Sequence, residues 1–302
     1  MKAVVIRNYG GPDQLKFEDV PDPVVGPGEV LVKTYAASIN PIDLKMRSGA
    51  VKDYFPVSFP GILGLDVSGT VSAVGAGVKS FSIGDKVFGH ASKAYATLCA
   101  VKAVELAKVP DGMDLAKAAA LPTVTTTGAQ LADLAIGNSE KATVLVLGAV
   151  GSVGRSAVYR LKEHSANVIA GVLRRQTAEA KQTGTDGVVA LDDDKETENL
   201  PTLDAIADTI NGATAAKVVR KLKPGGVFAS VLAPPSNAAG RPDMVVKTMQ
   251  VKSDPTMLLD MARAVQSGRL SIPIGKSFPL KEASAAHAAA ETGSSGKILL
   301  LA

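Results

Sequence analysis

The stretch that most constrains this chain is Val144-Leu-Val-Leu-Gly-Ala-Val-Gly-Ser-Val-Gly154. The unbroken apolar run from Val144 to Leu147 predicts a fully buried strand. Three glycines spaced by three follow directly: Gly148, Gly151 and Gly154. Val153, Ala157, Val158 and Leu161 then recur at helical spacing. A strand running through a glycine turn into a helix is the context a dinucleotide-binding loop requires. In that role Gly151 lets backbone approach a pyrophosphate and Gly154 lets the helix pack close to the strand. The backbone of Val150, Ser152 and Val153 then lies at a helix N-terminus, whose free N–H groups and partial positive charge suit phosphates. The strict G-x-G-x-x-G pattern is not met, because Ala149 stands where its first glycine belongs. Taken alone, the loop is equally a plain tight turn between strand and helix.

The 302 residues are enough for two domains. Apolar and charged fractions are those of an ordinary soluble globular protein, and the formal charge of +4 comes from scattered Lys and Arg. Solvated surface is therefore preferred to nucleic-acid binding. A single cysteine, Cys99, excludes an internal disulfide framework and any Cys-rich zinc site, and suits a reducing, cytoplasmic setting. No run of about 18 apolar residues suggests a membrane span. Arg7 interrupts the N-terminal apolar run too early for a signal peptide, so Lys2–Arg7 is expected to be a strand.

Residues 1–110 carry strand and turn patterns. Lys2–Arg7 and Leu15–Asp19 can pair across a turn, and further strands are expected at 30–37, 70–74, 86–88, 95–101 and 105–108. From Leu115 the pattern changes. Helices are expected at 115–119, 126–134, 152–164, 176–182, 213–223 and 255–268, with strands at 144–147, 168–172, 187–190, 203–208 and 226–232. Such alternation predicts an α/β fold with a doubly wound parallel sheet. The tail returns to strands at 272–280 and 297–301 around an Ala-rich helix at 281–291, so the C-terminus is expected to rejoin the first domain. The expected division is 1–118 with 266–302, and 119–265.

A second pattern is more specific: Gly64-x-Asp66-x-x-Gly69-x-Val71-x-x-Val74-Gly75-x-x-Val78-x-x-Phe81-x-x-Gly84-Asp85-x-Val87. With Ser38-Ile-Asn-Pro-Ile-Asp43, Leu121-Pro122 and Gly296-Lys-Ile-Leu299, it resembles the medium-chain dehydrogenase/reductase superfamily over essentially the whole chain. Within it, the chain looks like the zinc-independent quinone and enone reductases, the group that includes zeta-crystallin. The resemblance implies a GroES-like β domain, a Rossmann domain and an active site in the cleft between them. Zinc-dependent members place a cysteine where Asn40 stands and His-Glu where Leu65-Asp66 stands. The three histidines, His90, His164 and His287, are dispersed and read as surface or packing residues. No metal is therefore expected.

NAD-specific sites carry an acid about 20 residues beyond the glycines. Here the strand containing Gly171 ends in Arg174-Arg175, two guanidiniums suited to a 2′-phosphate, so NADPH is the expected cofactor. Relatives often carry a Tyr further on, where Leu191 falls here. Asn40-Pro-Ile-Asp-Leu-Lys45 resembles a segment of alkenal and enone reductases whose lysine contacts cofactor and substrate. That likeness implies that Lys45 hydrogen-bonds the substrate carbonyl, with an exposed helical lysine as the alternative. Asn40 either faces the nicotinamide ribose or caps the next turn, and Asp43 orients the loop. Tyr54 is a pocket wall, a proton donor or a packing residue. Thr127 matches a threonine that relatives place near the nicotinamide, with helix capping as its alternative, and the resemblance implies that Val231 and Leu232 border the ring. The expected activity is NADPH-dependent reduction of a quinone or an α,β-unsaturated carbonyl. The alternative is a non-catalytic NADPH-binding sensor or structural protein. Relatives are commonly homodimers or homotetramers, and the strand near 228–233 could pair edge to edge.

Overall fold

The computed structural model describes residues 1–139, 141–239, 241–293 and 295–302. The chain opens with Lys2–Ile6 (β1), whose residues Ala3 to Ile6 are all buried. It continues through Lys16–Asp19 (β2) and Glu29–Ile39 (β3) to a short helix, Pro41–Ser48 (α1). Gly61–Ile62 (β4), Asp66–Val74 (β5), Lys86–His90 (β6), Leu98–Lys102 (β7) and Leu106–Lys108 (β8) complete the β-rich part. β5 begins four residues before the expected Thr70, because Asp66 and Ser68 are fully buried polar residues that interrupt the apolar signal. The strand expected from Tyr95 begins only at Leu98. Tyr95 and Ala96 instead meet β1, through the Val4 N–H bond to the Tyr95 carbonyl at 2.8 Å and a bridge between Ala96 and Ala3. Gly64 is indispensable to this corner: its φ is +101°, and a Cβ there would lie 2.5 Å from the Tyr95 ring.

Leu115–Ala119 (α2) and Pro122–Ile136 (α3) lead into the alternating part. α3 starts at Pro122, not at Thr126. Proline is tolerated in a first helical turn, and burial of Thr125 and Thr126 overrides the poor helix propensity of a β-branched run. Then follow Thr143–Leu147 (β9), Ser152–Glu163 (α4), Asn167–Val172 (β10), Thr177–Ala180 (α5), Gly187–Ala190 (β11), Asp194–Glu198 (α6) and Leu203–Asp208 (β12). Gly212–Val218 (α7), Leu222–Ser230 (β13), Ser236–Ala239 (α8) and Val245–Thr248 (β14) end this part. Its sheet runs β11-β10-β9-β12-β13-β14, with every neighbouring pair parallel. Along β9, Val144 and Val146 enter one hydrophobic cluster while Leu145 and Leu147 enter the other. One strand thus feeds the cores on both faces of the sheet, which explains its unbroken apolar run. β14 was not expected from the sequence. It pairs with β13 over Val227–Ser230, and β13 ends at Ser230, so the edge pairing expected near 228–233 is not available to that strand end.

The chain ends with Pro255–Gln266 (α9), Ile274–Pro279 (β15), Ala283–Glu291 (α10) and Lys297–Leu301 (β16). Asp254 caps α9 by accepting the Met257 N–H at 2.9 Å. β16 pairs antiparallel with β3, which completes the sheet β15-β16-β3-β5-β6-β8, with β7 also on β3. Two compact units result. One comprises Met1–Thr123, Ser253–Gly268 and Ile272–Ala302; the other comprises Val124–Lys252 and Arg269–Ser271. α9 accordingly clusters with the first unit, whereas the sequence boundary at 265 assigned it to the second.

Candidate functional site

The carboxyl ends of the parallel strands bring together the loops that follow β9, β10, β12 and β13. The turn after β9 starts at Gly148, whose φ is +75°, and α4 starts at Ser152 with Gly151 at its N-cap. A Cβ on Gly154 would lie 2.1 Å from the Gly148 carbonyl oxygen, so α4 packs on the turn as closely as backbone allows. Over Gly151 the situation is opposite: an added Cβ would meet only the Gly148 oxygen, at 3.3 Å. The first-turn amides of Ser152, Val153 and Gly154 have no acceptor inside their own helix. This is a cradle with room for an anionic group beside unsatisfied N–H donors, and the residues present fit a dinucleotide pyrophosphate. On its other flank Gly128 of α3 carries α4, since a Cβ there would lie 2.4 Å from the Val153 carbonyl. Thr127, next to it, is buried.

One residue that organises these loops was not singled out in the sequence. Asp208, the buried last residue of β12, accepts the N–H groups of Ile210 and Asn211 at 3.0 and 2.9 Å and the Ser230 hydroxyl at 2.8 Å. The Ser230 oxygen in turn accepts the Leu232 N–H at 3.0 Å. A single carboxylate therefore fixes both the loop after β12 and the turn through Val231 and Leu232. The available signal was an acid directly after the apolar Ala205-Ile-Ala207 run, at the carboxyl end of the strand.

Beyond β10 the two arginines differ. The Arg174 backbone N–H donates to Asp192 at 2.7 Å, and its guanidinium pairs with Asp193 and with Glu196, the latter at 3.0 Å. The Asp193 carboxyl is held below its ordinary range by the Glu196 N–H first and by Arg174 second. Arg175 is exposed and forms no ion pair among the described residues. Gly171 has Leu191 and Leu147 against it, so Leu191 serves as packing.

The first unit contains a different kind of cluster. Asp66, fully buried, accepts Ser38 Oγ at 2.6 Å and Asn40 Nδ2 at 2.8 Å on one oxygen, and the N–H and hydroxyl of Thr123 on the other. Lys297 donates to Asn40 Oδ1 at 2.6 Å and to the Ile39 carbonyl at 3.0 Å, with its ammonium 3.8 Å from Asp66. Burial lowers the Lys297 pKa while the charges of Asp66 and Asp43 oppose the shift. The Asn40 side chain is thus held at both ends and is 1% exposed. Asn40 is the N-cap residue of α1, but its side chain is taken up by Asp66 and Lys297; Asp43 reaches back to accept the Asn40 N–H at 2.8 Å. Burial pushes the Asp43 carboxyl up to about 7 against the pull of that N–H. Nearby, His287 lies 3.2 Å from the Tyr95 hydroxyl and 3.4 Å from an Arg47 nitrogen, and Arg47 pairs with Glu291. Burial and Arg47 pull the His287 imidazole down to about 3.

Lys45 is exposed on α1, five residues after Asn40, and Tyr54 is 82% exposed. Tyr54 therefore packs against little, contrary to one of its expected roles. Among the described residues no group of three or more His, Cys, Asp or Glu side chains could hold a metal ion. At Asn40 and Asp66 the donor set is an amide, a carboxylate already accepting four hydrogen bonds and a neighbouring ammonium, which does not suit Zn²⁺.

Residues 26–130 match the family described as Alcohol dehydrogenase GroES-like domain, and residues 183–300 the family described as Zinc-binding dehydrogenase. The chain is 32% identical over 327 residues to the chloroplast envelope quinone oxidoreductase homolog of Arabidopsis thaliana, covering 99% of this chain and 98% of the relative. It is 35% identical over 245 residues to the NADPH-dependent alkenal/one oxidoreductase, chloroplastic, of the same plant, covering 75% of this chain and 61% of the relative. The structure of the quinone oxidoreductase from Coxiella burnetii aligns with a TM-score of 0.89 at 28% identity, over 100% of this chain and 99% of that one.

Proposed function

The chain belongs to the quinone oxidoreductase group of the medium-chain dehydrogenase/reductase superfamily, and from that premise we propose an NADPH-dependent reductase of quinones or α,β-unsaturated carbonyl compounds that works without zinc. The observation that carries the proposal is the glycine cradle at the end of β9, with guanidiniums one strand over at the end of β10. Bound NADPH would supply a hydride from its nicotinamide to the quinone ring or the alkene β-carbon, with water supplying the proton that completes the product.

The chain's own residues bind, orient and stabilise. The α4 amides and the open face of Gly151 hold the pyrophosphate, and the Asp208-ordered turn of Val231 and Leu232 borders the nicotinamide. Thr127 is assigned to the same region. Lys45 donates to the substrate carbonyl oxygen and stabilises the negative charge that develops there. Asn40 is read as a positioning residue: clamped between Asp66 and Lys297, it fixes the start of the helix that presents Lys45. Tyr54, being exposed, is kept as a pocket wall. Zinc is unnecessary because a conjugated acceptor delocalises the charge that an alkoxide would leave for a Lewis acid; the occupied donors around Asp66 support this. The same reading makes the protein a cytoplasmic homodimer or homotetramer. Its sole cysteine is buried, and no described helix is long and apolar enough to cross a membrane.

The test is NADPH oxidation against a benzoquinone, a naphthoquinone, an acyclic enone and an alkenal. Turnover with at least one class is expected, with Lys45→Met lowering kcat/KM by about 10²-fold. Absence of acceptor-dependent oxidation across the panel overturns the proposal.

A further inference from the structure

Asp193 and Glu196 are anchored independently of Arg174. Asp193 caps α6 by accepting the Glu196 N–H at 3.1 Å, and Glu196 accepts the Ala190 N–H at 2.7 Å. Both carboxylates converge on one nitrogen of Arg174. The acids are therefore held by backbone, while the guanidinium reaches them from a side chain that is 58% exposed. Asp192 adds a third carboxylate at the Arg174 amide. A 2′-phosphate arriving at the end of β10 must share Arg174 with two fixed negative charges, or draw it away and leave those charges facing each other. A ribose 2′-hydroxyl meets no such conflict, because it can donate to either carboxylate. Arg175 has no competing carboxylate among the described residues.

We propose that Asp193 and Glu196 are specificity determinants of the dinucleotide site: they withdraw Arg174 from the 2′-phosphate, leave Arg175 as the cation that recognises it, and allow NADH as well as NADPH. The proposal deepens the reductase reading above and rests on its cofactor assignment. It also divides between Arg174 and Arg175 a role expected of the two guanidiniums together.

The experiment measures NADP⁺ and NAD⁺ affinity by calorimetry, so no substrate is required. Asp193→Asn and Glu196→Gln keep the oxygens that accept the Glu196 and Ala190 N–H groups, so α6 and β11 retain their anchors. The double variant should bind NADP⁺ about tenfold tighter, with little change for NAD⁺. Arg175→Ala should weaken NADP⁺ by about tenfold in the native background, and Arg174→Ala by much less. In the Asp193→Asn/Glu196→Gln background, Arg174→Ala should become costly for NADP⁺, since the freed guanidinium then reaches the phosphate. Unchanged NADP⁺ affinity in the double variant, or an Arg174→Ala loss as large as that of Arg175→Ala in the native background, overturns the assignment. Native protein that binds neither nucleotide overturns the cofactor reading along with it. Native binding of both nucleotides with no response to the acids defeats this inference alone.

Discussion

The cradle at the end of β9 and the buried cluster around Asp66 are built in opposite ways. The cradle is backbone: three glycines and the first amides of a helix, all within eleven consecutive residues. The cluster is side chain: Asn40 and Asp66 are 26 positions apart, and Asn40 and Lys297 are 257 apart. A site made from backbone needs particular conformations, which contiguous sequence specifies. A site made from side chains needs particular neighbours, which only the completed sheet supplies. The cluster forms because β16 pairs with β3 in a register that sets Ile298 against Ile39. The comparison yields a sharp expectation: damage to the cluster should appear as lost stability, and damage to the cradle as lost nucleotide affinity.

The largest effect is expected at Lys297. Replacing it with methionine keeps most of the volume but leaves Asp66 buried without its nearby ammonium and Asn40 Oδ1 without its donor. Breaking a buried charge pair from one side costs about 3–5 kcal/mol. Urea unfolding should show that loss through a lower midpoint. A Lys297→Met protein as stable as the native one would mean that the cluster is not a structural unit, and the contrast between the regions would fail.

What could be read in advance follows the same division. β9, the glycine turn, α4 and β10 were legible because strand, turn and helix signals are local and consistent. The return of the tail to the first unit was also legible, since β16 carries its own apolar run. The start of α3 was not, because Pro122 and the threonines that follow have poor helix propensity and only burial rewards them. Nothing in Gly296-Lys-Ile-Leu299 indicates that Lys297 turns inward to Asn40. The carboxylates that engage Arg174 arrive from the N-cap and first turn of α6, beyond β11, so a search for an acid along β10 could not find them.

A smaller, graded effect separates two members of the first unit. In the fold Asp43 favours its neutral form, so its contribution to stability is complete below the ordinary 3.8 and fades as pH rises to about 7. His287 is also neutral in the fold, but as a base: its contribution is complete above 6.5 and fades as pH falls toward about 3. Between those ordinary values the two slopes oppose each other, so the native protein should show a muted dependence there. His287→Gln should unmask a stability that falls with rising pH, and Asp43→Asn one that falls with falling pH, each by at most about 1.4 kcal/mol per pH unit. Unfolding series across this range would refute the opposition if both variants tilted in the same direction.

The smallest change in stability is expected in the cradle. Gly151→Ala introduces a Cβ whose only close neighbour is the Gly148 oxygen at 3.3 Å, and Gly151 has φ −71°, which alanine accepts. The variant should unfold within about 0.5 kcal/mol of the native protein, as substitutions away from packed or strained positions do. Yet the methyl group stands on the open face that a pyrophosphate would approach, so nucleotide affinity should fall by about tenfold or more. Gly154→Ala is the internal control. Its Cβ would lie 2.1 Å from the Gly148 oxygen and 2.8 Å from the Ala149 Cα, so it must lose stability as well as affinity. If Gly151→Ala instead bound nucleotide normally, the room above Gly151 would not be a ligand site. The three-glycine spacing would then be explained by packing alone, as a tight turn between β9 and α4.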